Sequence, residues 1–520
     1  MFQRYRKKVR ISQARQSQSP DKSSLNKDLQ QNLRQIQQQF GFTDDLLMRQ
    51  FALGNRQQLR AALVFLDGLS DQKILDRDVI EPLMKAELEE LNDIAEDILS
   101  SVLHITLAKL ERSFDTVLDE LSKGKAVLLI HTIDTCIVVE AKAVEQRSVE
   151  EPVTEAVVRG PREGFTESIT TNLALIRKRC TNVNLQVENY RFGTQTGTRV
   201  CMIYIRHIVK EELLVEVRKR LSVIKTDAIL DSGYIEQWIE DEPFSIFPTV
   251  ANSEKPDIVL SKLLEGRIAI LVDGTPVALS VPATFQDFFQ NAEDYYSRPF
   301  YASLIRLLRY AAFFISAFLP SLYISFENFQ KELIPTPLLF SFVNSREGVP
   351  FPLAFELLVM VVVYEWLREA GLRMPRPIGQ AVSIVGALVM GEAAVSAGLI
   401  GAPTVIIIAL SAITSFIVPS LTDVVVMFRF LSIFASALFG LYGNFLIFYA
   451  ICVYLADLRS FGIPYLAPLA PVSWKDWKDF LIRLPLWMMR KRPDALETAS
   501  DRRIPSRSYP ASINKNREKL

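Results

Sequence analysis

Histidine and cysteine are scarce in this chain, with three and four in 520 residues. His104, His131 and His207 stand in no metal-ligand spacing, and no His-Glu-x-x-His pair occurs, which excludes a helical zinc site. Cys136, Cys180, Cys201 and Cys452 form neither a zinc pattern nor a Cys-x-x-Cys pair. They read as reduced packing residues, in keeping with a cytoplasmic soluble part. Net charge is also lacking, since 59 Lys+Arg balance 59 Asp+Glu. The run 193–198 (GTQTGT) has the glycines of a phosphate loop without its lysine and reads as a surface turn. No nucleophile elbow occurs, and no carboxylate pair is held by local spacing. The first ten residues, MFQRYRKKVR, are charged like the start of a signal peptide, but Ser, Gln and Arg follow them instead of an apolar stretch. The chain is therefore expected to be no enzyme, to need no cofactor or metal, and to bind no nucleic acid.

What is present is uncharged length. Residues 310–326 carry no charge, 377–422 carry only Glu392, and 430–456 carry none. A bilayer demands such segments, because a spanning helix needs about 20 apolar residues. Five apolar segments follow, at 304–326, 351–367, 378–400, 403–421 and 430–456. The third and fourth are separated at Gly401-Ala402-Pro403, and the fifth is long enough to cross with tilt. Arg298, Arg306 and Arg309 place the soluble part inside, as do Arg368, Arg373 and Arg376 for the loop after segment two. Five crossings would leave the basic C-terminus outside. Its Arg490-Lys491-Arg492 and Arg502-Arg503 clusters argue for inside, so one segment does not cross or 457–471 dips back.

The soluble part reads as α+β, with two related α/β lobes joined by a helix and followed by an α-helical transmembrane domain. Strand, helix and hairpin recur over 59–140 and 199–282, the second hairpin bending at Asp273-Gly274. The expected divisions are a disordered basic arm (1–40), a first lobe (41–158), a linking helix region (159–198), a second lobe (199–300), a membrane domain (301–471) and a basic cytoplasmic tail (472–520).

The third apolar segment carries the sharpest local signal. Gly379, Ser383 and Ala387 share one face, with Gly386, Ala393 and Ala397 nearby, and such spacing lets helix backbones approach closely in lipid. Glu392 lies within the same run, where an ionised carboxylate needs a partner, a water path or another subunit. Glu356 and Glu365 fall about 2.5 turns apart, on opposite faces of segment two. Asp423 and Arg429 read as interfacial, with an intramembrane ion pair as the alternative. Pro320 and Pro419 fall inside apolar runs and read as kinks or hinges.

Longer motifs resemble a known family. Arg159-Gly160-Pro161-Arg162-Glu163-Gly164-Phe165, the run from Gly266 through Asp273-Gly274 to Pro276, Asp294-Tyr295-Tyr296, Ser345-Arg346-Glu347-Gly348 and Gly391-Glu392-Ala393-Ala394 are similar to the A subunits of GerA-type spore germination receptors. Lys255 stands where that family more often has Arg, which removes a bidentate fork. The resemblance implies a multi-pass protein of the spore inner membrane with its N-terminal domain cytoplasmic. It implies a permease-like B subunit, a lipoprotein C subunit, a nutrient signal relayed from a partner, and a homo-oligomeric ring whose helices form an ion path. A non-conducting scaffold and a secondary transporter are the other readings. The transporter would require paired membrane repeats, which the sequence does not display.

Overall fold

The computed structural model describes residues 24–54, 56–86, 94–105, 107–141, 152, 155, 157–374 and 391–504. The first lobe opens with helix α1 (Leu29–Phe40), capped by the Asp28 carboxylate and ended by Gly41 at φ 75°. Leu29, Leu33, Ile36 and Phe40 recur at helical spacing and are buried. The arm read as disordered over 1–40 is therefore helical from Leu29. Its glutamines hide an apolar stripe sufficient to dock it.

Five strands follow: β1 (Leu46–Leu53), β2 (Arg56–Leu66), β3 (Ala108–Glu111), β4 (Ala126–Ile130) and β5 (Cys136–Val139). Helix α2 (Phe114–Ser122) joins β3 to β4, and the sheet order is β1-β2-β4-β5-β3. Helices α1 and α2 cover one face, and short helical turns over 72–85 and 94–102 cover the other.

The second lobe repeats this plan. It runs through α3 (Ile169–Arg179), β6 (Leu185–Phe192), β7 (Thr198–Ile205), α4 (Glu211–Val223), α5 (Ser232–Ile239), β8 (Ala251–Ser253), α6 (Pro256–Glu265), β9 (Ile268–Val272) and β10 (Ala278–Val281). The order β6-β7-β9-β10-β8 is that of the first sheet. Helices α3 and α6 lie on one face, and α4 and α5 on the other. The central strands read as unbroken apolar runs because both faces are covered: Val200, Met202 and Tyr204 meet one core, Cys201, Ile203 and Ile205 the other.

Two expectations need correcting. Within the linking region expected over 159–198, the helix spans only Ile169–Arg179, behind the Ser168 cap. It is also the first element of the second lobe, equivalent to α1, and that lobe's sheet begins at Leu185, not at 199. The edge strands β1 and β6 are not legible in the sequence because exposed polar residues, such as Arg49, Gln50 and Asn189, break the apolar pattern.

The lobes are locked by Arg177, which donates to Asp45 from Nε (2.8 Å) and Nη2 (2.9 Å) with both side chains buried. Thr43 Oγ1 donates to Asp45 (2.6 Å) and accepts from Val187 N (3.0 Å), stitching the same seam to β6.

The helical part comprises α7 (Pro299–Ile324), α8 (Thr336–Ser345), α9 (Leu353–Arg373), a helical stretch over 391–396, α10 (Ala402–Ser415), α11 (Thr422–Phe439) and α12 (Leu441–Asp457). Helix α7 is the hub, packed against α10, α11 and α12. Among the described residues, Pro299–Phe329 and Pro419–Phe439 are long and apolar enough to cross a bilayer, while Ala402–Ser415 and Leu441–Asp457 are apolar but shorter. Pro320 sits inside α7, whereas Pro419 opens a turn between helices. The fifth apolar segment, read as one long helix, is two helices that fold against each other at Gly440.

Gly440 has φ 58° and ψ −138°, and a Cβ there would meet the Phe329 ring at 2.7 Å. Gly440→Val is expected to cost at least the roughly 1–3 kcal/mol of a strained backbone. Thermal melting in detergent should show a much larger fall than for Gly391→Ala, whose Cβ would meet, among the described residues, only Val405, at 3.4 Å.

After α12 the chain returns to the second lobe. Ala499 N donates to Ile208 O (3.1 Å), Arg492 Nε to Leu264 O (2.7 Å), and Arg503 Nη2 to Glu265 (2.9 Å). Within the span read as a basic tail, 472–520, the residues around 492–503 are thus packed against the second lobe.

Candidate functional site: a charged joint and a polar seam

Three motifs distant in sequence meet where the second lobe joins α7. Glu155 and residues 157–165 lie across the start of α6 and the turn before α7. Glu155 accepts from Ser253 Oγ (2.7 Å) and Glu254 N (3.0 Å), and burial pushes its carboxyl up. The backbone N of Phe165 donates to Glu254 O (2.7 Å), and Arg159 N to Glu293 (3.2 Å). Lys255 is buried and its ammonium donates to Pro161 O (3.0 Å), a contact for which one donor suffices. Gly160, at φ 141°, lies where a Cβ would strike the Tyr296 ring at 2.8 Å, and Tyr296 in turn donates to Asp257 (2.6 Å). Arg162 is exposed beside it, and Glu163 pairs with Arg179 at the end of α3. Asp273 and Gly274 sit elsewhere, at the β9–β10 bend. There Asp273 Oδ1 accepts from Ile169 N (3.1 Å) and Gly274 N donates to Glu167 O (2.8 Å), fixing the start of α3.

Below this segment the charges are buried. Arg267 donates to Pro282 O (2.7 Å) and forks onto Asp287, which Lys262 also contacts. Burial pushes the Asp287 carboxyl up, but the Arg267 guanidinium and the Lys262 ammonium outweigh it and hold the group well below the usual carboxylate range. Arg306 and Arg309, on α7, converge on Asp294, with Arg309 forking at 2.8 and 2.9 Å. Arg306 also donates to Asp479 O (2.6 Å) and Phe480 O (3.0 Å). Read from sequence as charges that set orientation, these two arginines are instead the buried bolts between lobe, helix and C-terminal segment.

Polar groups continue along α7. The Arg429 side chain is 1% exposed. It donates to Ser316 O (3.0 Å), lies 3.1 Å from Glu365, and stands over the Tyr364 ring. Arg368 pairs with the same carboxylate at 2.9 Å. Arg429 is thus buried and ion-paired, but with Glu365 and not with Asp423, which is exposed at the start of α11. Further on, Ser321 donates to Asn444 (2.5 Å), Asn444 to Ser325 (2.7 Å), and Ser436 to Ser321 O (2.6 Å). These small residues let α7, α11 and α12 approach closely. At the far end Arg346 pairs with Glu327 (2.6 Å) and lies 3.7 Å from Glu356, which accepts from Gly401 N (2.7 Å). From Arg306 to Glu327 the seam rises about 32 Å at 1.5 Å per residue, the thickness of a hydrocarbon core.

Of the residues singled out in the third segment, the structure describes Glu392, Ala393 and Ala397. Gly379, Ser383, Gly386 and Ala387 lie outside the described residues. Glu392, Ala393 and Ala397 are exposed, beside a buried Gly391. The small-residue packing observed is that of α7 with α11 and α12, which the sequence reading passed over because its serines sit in otherwise apolar runs. No group of three or more His, Cys, Asp or Glu among the described residues is placed to hold a metal. The Cys136 and Cys201 thiols, pushed up to about 12 by burial, are unreactive packing groups.

The sequence profile of the family described as "Bacillus/Clostridium GerA spore germination protein" matches residues 34–495. Spore germination protein KA of Bacillus subtilis is 44% identical over 474 residues, covering 91% of this chain and 87% of that protein. Spore germination protein GerLA of Bacillus cereus is 39% identical over 468 residues, covering 90% and 95%. An uncharacterized membrane protein of B. subtilis, YfkQ, is 37% identical over 494 residues, covering 95% and 96%. The crystal structure of the N-terminal domain of the A subunit of the Bacillus megaterium spore germinant receptor GerK3 is 36% identical. It covers 51% of this chain and 98% of that one, with a TM-score of 0.40.

Proposed function

The chain belongs to the GerA family of spore germination proteins, and from that premise we propose that it is the A subunit of a nutrient-responsive germination receptor. In this reading its helices assemble with further copies into an ion-conducting path in the spore inner membrane. A permease-like B subunit and a lipoprotein C subunit complete the receptor, and the lobes lie in the cytoplasm.

The observation that carries the conducting reading is Glu392. It is exposed on the protomer, next to exposed Ala393 and Ala397, and the neighbouring helix α10 also leaves Ile406 and Ile413 exposed. A carboxylate on a lipid-facing flank is costly unless another copy or a water path covers it. The split at Gly440 supports a multi-pass arrangement with both termini on one side. Helices α11 and α12 form a hairpin, so an even number of crossings returns the chain to the second lobe, where residues 492–503 are docked. The charged joint supports transmission, since it ties lobe, α7 and C-terminal segment into one body.

The reading is tested by the purified protein in lipid nanodiscs and planar bilayers. A closed ring that conducts is expected, and Glu392→Gln should alter cation flux at unchanged protein level. A monomer, or a ring silent in every recording, would leave the lobes as a scaffold.

A further inference from the structure

We infer that residues 472–488 form an interfacial anchor lying in the headgroup layer of the membrane, a role beyond the receptor reading, although it rests on that reading's placement of α7 and its neighbours in lipid. The segment reads VSWKDWKDFLIRLPLWM. It is fastened to α7 at a defined height: Arg483 N donates to Ser303 Oγ (2.9 Å), and Arg306 holds the Asp479 and Phe480 carbonyls. From there a file of aromatic rings runs outward. Tyr310 of α7 meets Phe480 at 5.6 Å between centroids, Phe480 meets Trp477 at 5.8 Å, and Trp477 meets Trp474 at 5.0 Å. Tyr310 begins the uncharged stretch of α7, so the file lies where hydrocarbon gives way to headgroups.

Trp474 (75% exposed), Ile482 (62%) and Leu486 (53%) are left uncovered at its outer side. Phe300 and Leu304, at the foot of α7, are exposed as well. On the other side Lys475 turns to Asp494, which lies with Glu265 in the cavity against the second lobe. One apolar, tryptophan-bearing side and one lysine-bearing side at the membrane boundary is the arrangement that side chains with an apolar body and a polar tip adopt there. The segment is bonded to Ser303, beside the exposed Phe300 and Leu304 of α7, and that apolar neighbourhood selects lipid as its occupant.

The test uses the full-length protein in phospholipid vesicles, with Cys452→Ser removing the exposed native thiol. A nitrobenzoxadiazole probe is placed at Ile482→Cys, at Leu486→Cys and, as a control on the outer face of α12, at Leu446→Cys. Probes at 482 and 486 should be quenched several-fold more by lipids nitroxide-labelled near the carbonyl than by lipids labelled at the acyl end, with the order reversed at 446. Quenching of 482 and 486 by aqueous iodide alone, while 446 responds to lipid, overturns the inference and leaves the membrane reading intact. Lipid quenching that disappears as the protein is packed more densely, with cross-linking between copies, overturns it in favour of a copy interface. A probe at 446 that ignores lipid overturns both.

Discussion

Asp294→Asn should weaken the whole assembly more than any other single change at the joint. Asp294 is buried and is the carboxylate that receives both Arg306 and Arg309. Removing its charge leaves two buried guanidinium groups with carbonyls and the Asp479 carboxylate, which is itself engaged by Tyr295 (2.8 Å). Breaking one partner of a buried pair costs about 3–5 kcal/mol, a large part of the roughly 5–15 kcal/mol that a folded domain holds in reserve. Full-length protein should therefore accumulate poorly and melt earlier in detergent. Asp423→Asn, at an exposed helix start, should shift stability by no more than about 0.5 kcal/mol. Equal melting of the two variants would sink the idea that the joint is held electrostatically.

Neutralising Glu365 is expected to have an effect of similar size inside the helical bundle. The Arg429 guanidinium would then keep only the Ser316 and Ser411 carbonyls and the Tyr364 ring, and Arg368 would lose its partner too. The cost of Glu365→Gln alone is about 3–5 kcal/mol. A Glu365→Leu, Arg429→Met pair removes the more deeply buried pair and should recover part of the loss, because apolar groups of similar volume often replace a buried ion pair without loss, while the more exposed Arg368 stays unpartnered by Glu365. A double-mutant cycle on detergent melting should give a coupling of about 2–3 kcal/mol. Additivity within about 0.5 kcal/mol would mean that the two groups are neighbours without consequence. Under the proposed conducting reading, a pair that pins α9 against α11 predicts that spores carrying Glu365→Gln leak ions without nutrient.

The apolar runs and the doubled α/β pattern were legible because they are periodic or compositional. An uncharged stretch of 17 residues, an Asp273-Gly274 bend and an apolar strand such as Cys201-Met202-Ile203 need no tertiary context. What was missed follows one rule: a residue's class does not reveal its partner. Arg306, Arg309 and Arg429 read as boundary charges, since a cation in or beside an apolar run is more cheaply placed in water. Each instead meets a carboxylate brought from 12, 15 or 64 residues away. Gly440 gave no signal either, because a glycine among apolar residues looks like any other until its φ and the nearby Phe329 are known.

By itself, then, the order of residues determined that one part of this chain builds covered sheets while another runs through apolar helices. It did so because water and hydrocarbon sort side chains by polarity alone. Only the tertiary structure decided that both sheets share one strand order, that the last long apolar run is a hairpin, and that residues 157–165, Lys255 and Asp294–Tyr296 meet at the foot of α7. Those outcomes depend on which buried charges find each other, and a buried charge is tolerated only at the distance and angle that folding supplies.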